Sequence, residues 1–268
     1  MILFSRRPPT RPVLSLESTK RFTERADFYA KYRPSYPRRA MSILRREFGF
    51  RRSAVVADIG SGTGLLSRLF LENGNEVYAV EPNERMRSYA EGDLAGSSKF
   101  HSVDGTAERT RLPKGSVDVI AVGQALHWFR PPPTIREFSR ISKPHGELCV
   151  FYNERRKEGA FMNAYESLIR RHQRDRAKVP NVDAPYAARF FQKGEYSTFA
   201  LPNSQVLDFD GLLGRLLSAS YMPPPTEQEK FARLVEDVRI TFDAHCVRGT
   251  VTLLYDTTIL LGLVRPAS

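Results

Sequence analysis

Three features of the chain predict an α/β fold in which a parallel sheet carries helices on both faces. Residues 55–82 read as a buried strand, a glycine turn, a helix and a second buried strand. The same strand and helix patterns keep alternating as far as residue 152, the arrangement that favours parallel pairing. At 268 residues with 41% hydrophobic content, the chain can bury one sizeable core, and a single domain with a cap suits that length better than two independent domains.

The elements follow in order. Pro37 suits a first helical turn and Gly49 follows the last apolar position, so a helix of about a dozen residues is expected between them. A strand over 54–59 leads into a helix that begins near Gly64 and stops at Asn73-Gly74. A strand over 76–81, a helix over 83–91 and strands over 99–103 and 117–122 come next, the last after the Pro113-Lys114-Gly115 turn. A helix over 133–142 turns Ile135, Phe138 and Ile141 inward and ends at Lys143-Pro144-His145-Gly146, before a strand over 147–152. The pattern then changes. Residues 159–193 read as helical and charged, and 196–209 as a strand broken at Pro202-Asn203. Asp210 is placed to cap a short helix over Leu212, Leu213, Leu216 and Leu217, and Thr226 with Glu229 spells a capping box. Phe231, Leu234, Val235, Val238 and Phe242 recur at helical spacing, and a strand over about 250–264 closes the chain. No internal repeat is present.

Composition narrows the function classes. No apolar run approaches the roughly 18 residues a membrane span needs, and 258–264 reads as a buried strand. Cys149 and Cys246 give neither a disulfide framework nor metal-ligand spacing, so a reducing cytoplasm and no metal are expected. Residues 1–21 form a basic, proline-rich tail expected to be disordered. A twin-arginine export signal would need a hydrophobic stretch where prolines stand, and a transit peptide is the remaining alternative. The net charge of +11 raises nucleic acid as a partner. Yet pairs such as Arg45-Arg46 flank an apolar face of Ala40, Met41, Ile43, Leu44 and Phe48, as on a solvated helix surface. An acidic substrate drawn in by the field is the other reading.

The glycine turn carries the sharpest signal. In Asp58-Ile59-Gly60-Ser61-Gly62-Thr63-Gly64 the glycines depart from the G-x-G-x-x-G spacing of a dinucleotide site, and Asp58 just ahead of them would repel a pyrophosphate. An acid there suits an ammonium instead. Glu81, at the end of the next strand, offers two carboxylate oxygens to a ribose diol. A nucleoside bearing a cationic amino-acid end meets both demands, and S-adenosylmethionine is such a molecule.

The motif D-I-G-S-G-T-G with Glu81-Pro82 resembles the class I S-adenosylmethionine-dependent methyltransferases. The 26–37 stretch ADFYAKYRPSYP, Gln124-Ala125-Leu126-His127-Trp128-Phe129 and Ser218-Ala219-Ser220-Tyr221-Met222-Pro223 extend the resemblance over 22–264, toward small-molecule carboxyl methyltransferases similar to trans-aconitate methyltransferase. It implies a Rossmann-like, seven-stranded, mostly parallel sheet whose last strand is antiparallel. It also implies one methyltransferase domain over 22–268, with 159–193 as a helical lid over the substrate.

Methyl transfer is an in-line displacement that needs alignment and a dry pocket, and a carboxylate nucleophile is already ionised at neutral pH. Gly60, Ser61 and Gly62 are expected to contact the methionyl part of the cofactor by backbone, with Asp58 near its ammonium and Glu81 on the ribose. Pro82, Asn83 and Met86 border the adenosine, although Met86 also suits plain core. Relatives place an acid at the position of Thr106; here Thr106, Ala107 or Glu108 must serve the adenine amino group. The resemblance further implies that Tyr29 and Arg33 close over the cofactor, Arg33 on its carboxylate, the alternative being a surface arginine. Gln124 is placed at the cofactor. His127 is the catalytic candidate, either orienting a carboxylate as imidazolium or acting as base toward a hydroxyl; a structural histidine is the alternative. Trp128, Tyr32, Tyr36 and Tyr221 are expected to line the pocket of a small, acidic acceptor, or else to be core. The competing functions are an RNA methyltransferase, for which no N-P-P-Y-like tetrapeptide or RNA-binding module is present in the sequence, and a cofactor-binding protein without transferase activity.

Overall fold

Apolar strands and capped helices alternate through the computed structural model, which describes residues 26–174, 183–219 and 221–267. The basic tail 1–21 and residues 175–182 of the expected lid lie outside the described residues. In chain order the elements are α1 (Ala26–Tyr32), α2 (Ala40–Phe48), β1 (Val55–Ile59), α3 (Leu65–Asn73), β2 (Glu76–Val80), α4 (Glu84–Leu94), β3 (Phe100–Val103) and β4 (Val117–Gly123). A 3-10 turn (Leu126–Trp128) precedes α5 (Pro131–Ile141), β5 (Ser142–Arg155), α6 (Ala160–His172) and α7 (Ala184–Ala188). The chain ends with β6 (Ser197–Leu207), α8 (Phe209–Leu217), α9 (Gln228–His245) and β7 (Val251–Leu263).

The strands form one seven-stranded sheet of order β3-β2-β1-β4-β5-β7-β6. β1 to β5 run parallel, and β7, the last strand in sequence, runs antiparallel to both neighbours, as expected. Successive side chains on a strand point to opposite faces, which sorts the core into two layers. Val56, Val119 and Ala121 pack with Leu44 of α2 and Phe70 of α3. Ala57, Ile59, Ile120 and Val122 pack on the other face with Phe138 of α5 and Tyr186 of α7. A third cluster joins Tyr165 of α6, Leu212 and Leu216 of α8 and Leu234, Val238 and Phe242 of α9 to Leu253 and Tyr255 of β7. The 159–193 stretch is therefore divided: α6 belongs to the third cluster, and α7 braces the second.

Four local expectations are corrected. β6 runs unbroken through Pro202, which pairs in register with Asp256. Because β6 is the sheet edge, the missing proline N–H costs no ladder bond. The cap of α8 is Asp208, whose carboxylate accepts from Gly211 N at 2.7 Å, while Asp210 lies inside the first turn. No capping box forms at α9; its N-cap is Glu227 without a side-chain cap bond, and Glu229 pairs with Arg233 instead. β5 starts at Ser142, directly after α5, where a turn was expected, and absorbs the change through a register shift against β4.

Candidate functional site

β1 and β4 are neighbours, yet the chain leaves β1 for β2 and β3 before returning to β4. The connections after the two strands diverge, and such a switch point leaves a crevice at the carboxyl ends. A cleft of about 720 Å³ lies there. It is lined by Tyr29, Gly60, Gly62, Glu81, Pro82, Asn83, Met86, Thr106, Ala107, Gln124 and Trp128 from the sequence-derived set, joined by Gly123, Ala125 and Phe129.

The turn after β1 uses its own N–H groups. Gly60 and Ser61 both donate to Val80 O (2.8 and 3.2 Å), Gly62 donates to Glu81 Oε2 (3.0 Å) and Gly64 to Ser61 O (2.9 Å). A pyrophosphate site needs such donors free. With four of them engaged, the turn disfavours an anion. Gly60 sits at φ 68°, and a Cβ there would stand 2.8 Å from Ala125 Cβ. Gly60→Ala is expected to cost about 1–3 kcal/mol of stability and to displace the cleft wall at Ala125. An unfolding temperature equal to wild type would contradict this account of the turn.

Asp58 is fully buried at the end of β1. Its Oδ2 accepts from Ser67 Oγ at 2.6 Å, and its Oδ1 has no hydrogen-bond partner among the described residues. Burial pushes its pKa up to about 7 against the Ser67 hydrogen bonds, and Glu81 adds to the rise. An orphaned, buried carboxylate oxygen beside a turn whose Gly60, Ser61, Gly62 and Gly64 N–H groups are already engaged fits an ammonium. Glu81 accepts from Asn83 N (2.9 Å) through Oε1 and from Gly62 N through Oε2, so each oxygen keeps a lone pair for a hydroxyl. Burial raises its pKa, opposed by those two bonds and by Arg87. Arg87 also ties Glu81 O (2.8 Å) to Asp104 (3.2 Å), fixing the end of β2 against the loop after β3.

On that loop the backbone of Thr106 is paired with that of Arg109, and Thr106 and Ala107 line the cleft. Glu108 turns away to Arg130 (3.6 Å) and does not line it. Thr110, farther along, is anchored by N–H and hydroxyl to Glu137 of α5 at 2.7 and 2.6 Å. Gln124 holds a left-handed φ of 56°, fixed by its N–H on Phe151 O and its Nε2 on Asn153 O. Strain of this kind in a non-glycine residue marks a position the surrounding fold enforces.

His127 and Trp128 lie on the 3-10 turn with ring centroids 4.8 Å apart. Burial lowers the His127 pKa to about 4, which favours the neutral imidazole near pH 7 when no acceptor is bound. Trp128 reaches the cleft, but three tyrosines do not line it. Tyr36 is core, edge-on to Phe151 at 5.5 Å with its hydroxyl against Gly123. Tyr32 lies flat on Gly214 of α8, and Tyr221 packs against the third cluster. Arg33, Asp58, Ser61 and His127 stand behind the lining, Arg33 over the Tyr29 ring at 4.6 Å. Ala125 and Phe129 belong to the 124–129 motif already visible in the sequence; Gly123 carries no signal beyond its place at the end of β4.

The family described as a methyltransferase domain matches residues 57–150. An uncharacterised methyltransferase of Mycobacterium tuberculosis is 30% identical over 181 residues, covering 66% of this chain and 70% of the relative. An uncharacterised methyltransferase-like protein of Schizosaccharomyces pombe is 26% identical over 255 residues, covering 91% and 95%. Among solved structures, a protein of Anaeromyxobacter dehalogenans provisionally named a type II methyltransferase superposes with a TM-score of 0.64 at 22% identity, covering 88% of this chain and 99% of that one. A cyclase, SpnF, superposes at 0.54 with 14% identity, covering 96% and 98%. At those identities the structural likeness speaks to the Rossmann-like fold alone.

Proposed function

Because this chain belongs to the S-adenosylmethionine-dependent methyltransferases, we propose that it methylates a small organic acid on oxygen, at a carboxylate before a hydroxyl, like the trans-aconitate group its motifs resemble. One observation carries the choice of acceptor. Among the described residues lining the cleft no side chain is placed as a free base: Glu81 is engaged by Gly62 N and Asn83 N, and His127, outside the lining, is buried and held near pKa 4, too weak a base to take a proton from a hydroxyl at neutral pH. An acceptor that arrives already ionised needs no base, and a carboxylate is such a group.

S-adenosylmethionine, when bound, would supply an electrophilic methyl group and, in its sulfonium sulfur, the leaving group that takes the electron pair. Asp58 and the turn carbonyls are assigned to its ammonium, Glu81 to the ribose diol, and Thr106 and Ala107 to the adenine edge. Pro82, Asn83 and Met86 close the adenosine side. Arg33 is assigned to the cofactor carboxylate across Tyr29. Neutral His127 donates one N–H to orient the acceptor, while Trp128 and Phe129 keep water from the reacting atoms, where a dry surrounding favours the cancellation of opposite charges. We assign residues 22–268 to one methyltransferase unit.

His127→Ala is expected to lower kcat by about tenfold to a hundredfold with S-adenosylhomocysteine affinity retained. At saturating cofactor, wild-type kcat should stay flat between pH 6 and 8, because neither the acceptor carboxylate nor His127 titrates there. Unchanged kcat in the variant would remove His127 from the site. The reaction itself is tested with methyl-labelled S-adenosylmethionine and a panel of small carboxylic acids. Label released as volatile methanol by mild base identifies an ester, whereas a base-stable product sinks the carboxylate reading.

Surface arginines bear on the RNA alternative. Arg38, Arg46, Arg68 and Arg233 each pair with a nearby carboxylate, as on a solvated surface. Binding to RNA that falls steeply with salt would restore that alternative. No helix among the described residues is long and apolar enough to cross a membrane, and we place the enzyme in the cytoplasm.

A further inference from the structure

Another cleft, of about 690 Å³, lies where α5, the end of α7 and the segment after β7 meet. Pro131, Pro132 and Ile135 of α5 form its apolar floor with Pro266 and Ala267. The last segment is fixed there by its backbone: Arg265 N–H donates to Phe190 O and Ala267 N–H to Ser139 Oγ of α5, both at 3.0 Å. The rest of the lining is three arginines, one from each piece of chain: Arg136, Arg189 and Arg265.

The charge of this cleft has one sign. No carboxylate stands among the described residues that line it, and none of the three guanidinium groups is within ion-pair reach of a carboxylate among the described residues; that of Arg265 donates to Arg189 O at 3.4 Å. Glu137, the single acid of α5, is already held by Arg140 and Thr110. Arg38, Arg46, Arg68 and Arg233 on other surfaces each have a carboxylate partner, so these three stand apart. All three residues are exposed, and core packing does not require them. The helix adds to the field. Pro131, Pro132 and Pro133 open α5, so its positive end lies here without the N–H groups that a first turn ordinarily offers, and Thr134 N–H goes to Arg130 O at 3.1 Å.

We propose that this cleft docks an extended acidic segment of a partner protein, its carboxylates on Arg136, Arg189 and Arg265 and an apolar side chain on the floor of prolines. A guanidinium fork holds a carboxylate by two parallel hydrogen bonds, and an extended chain sets its side chains alternately, so acidic and apolar groups can face the cleft in turn. Arginine without lysine around an apolar centre is the composition of a protein contact. A free phosphate would seek the N–H groups of a helix start, which the prolines remove, and would leave the floor unused. Single-stranded RNA stacks its bases on aromatic rings, and none is among the described residues lining this cleft. Phe129 lines the cofactor cleft and Pro131, two residues on, lines this one, yet the two linings share no residue. The docking site is therefore separate from the site of methyl transfer.

The test is fluorescence anisotropy on the whole chain with a fluorescein-labelled, glutamate-rich peptide carrying interspersed leucines, beside a leucine-free peptide and an oligouridylate of equal charge. Wild type is expected to bind the leucine-bearing peptide most tightly of the three. Arg136→Gln, Arg189→Gln and Arg265→Gln are each expected to weaken that binding about threefold to tenfold, and the triple variant about a hundredfold. Arg38→Gln, Arg45→Gln and Arg233→Gln together remove the same charge elsewhere and should change it by no more than about twofold. S-adenosylhomocysteine affinity, held within about twofold in every variant, confirms that each is folded. Absence of peptide binding to wild type, equal losses in the two triple variants, equal binding of the leucine-free peptide, or tighter binding of the oligouridylate would each overturn the proposal, the last by giving the cleft to RNA. The readout needs no turnover. A protein that docks the peptide here and methylates no carboxylic acid keeps this site and loses the carboxylate-acceptor reading alone.

Discussion

Glu81→Ala is expected to weaken S-adenosylhomocysteine binding by roughly a hundredfold or more. Both carboxylate oxygens already accept a backbone N–H, from Asn83 and from Gly62, and each has a lone pair left for one ribose hydroxyl. Two hydrogen bonds to a charged acceptor contribute about 1.5–3 kcal/mol each, which converts to about two to four orders of magnitude in affinity. Truncation also strands the Gly62 and Asn83 donors and loosens the turn that shapes the cleft. Glu81→Gln keeps one acceptor oxygen but points an amide NH₂ at one of those N–H groups, so its loss should be intermediate. The ribose contact separates from the turn in a double-mutant cycle. The 2′-deoxy analogue should bind wild type more weakly than S-adenosylhomocysteine does, yet bind Glu81→Ala no worse. Equal affinity of wild type and Glu81→Ala for S-adenosylhomocysteine would remove the ribose assignment.

The parts of this site legible in the sequence are those whose chemistry is local. Asp58, the glycine turn and Glu81 lie within one strand-turn-helix-strand unit, where spacing fixes geometry, and the structure brings all of them to one end of β1 and β2. Tyr32 and Tyr36 show what spacing leaves open. They flank Arg33 in a motif that suits either lining or core, and the choice is made by Gly214 and Phe151, residues far away in sequence that receive the two rings. The cleft of Arg136, Arg189 and Arg265 was invisible for the same reason: Ser139 and Ala267, whose hydrogen bond helps to close it, are 128 positions apart. The cap at Asp208 was misplaced by only two residues because Asp208 and Asp210 are equally good caps, and only the path of the chain leaving β6 chooses between them.

Asp58→Asn is expected to stabilise the free protein above neutral pH while abolishing tight cofactor binding. The folded-state pKa of Asp58 is about 7, set first by burial, against an unfolded value near the ordinary carboxylate range of about 3.9. Between those values the folded state holds a proton that the unfolded state has lost, so this group's contribution to stability falls as pH rises from about 4 to 7 and stays low above it. At about 1.4 kcal/mol per unit the full span amounts to no more than about 4 kcal/mol. Asparagine can still accept from the Ser67 hydroxyl and carries no such penalty. The melting temperature of Asp58→Asn should therefore match wild type near pH 4.5 and exceed it by several degrees at pH 8. Cofactor binding has the opposite sign. An ammonium favours the ionised carboxylate, so wild-type affinity for S-adenosylhomocysteine should climb by up to about tenfold per pH unit below 7 and level off above it, with a proton released on binding. That proton appears in calorimetry as a binding heat that depends on the ionisation enthalpy of the buffer. Asp58→Asn should bind weakly at every pH and release none. A wild-type affinity that stays constant from pH 5.5 to 7.5 would mean that Asp58 does not face the ammonium, and the buried carboxylate would then need another reason to be there.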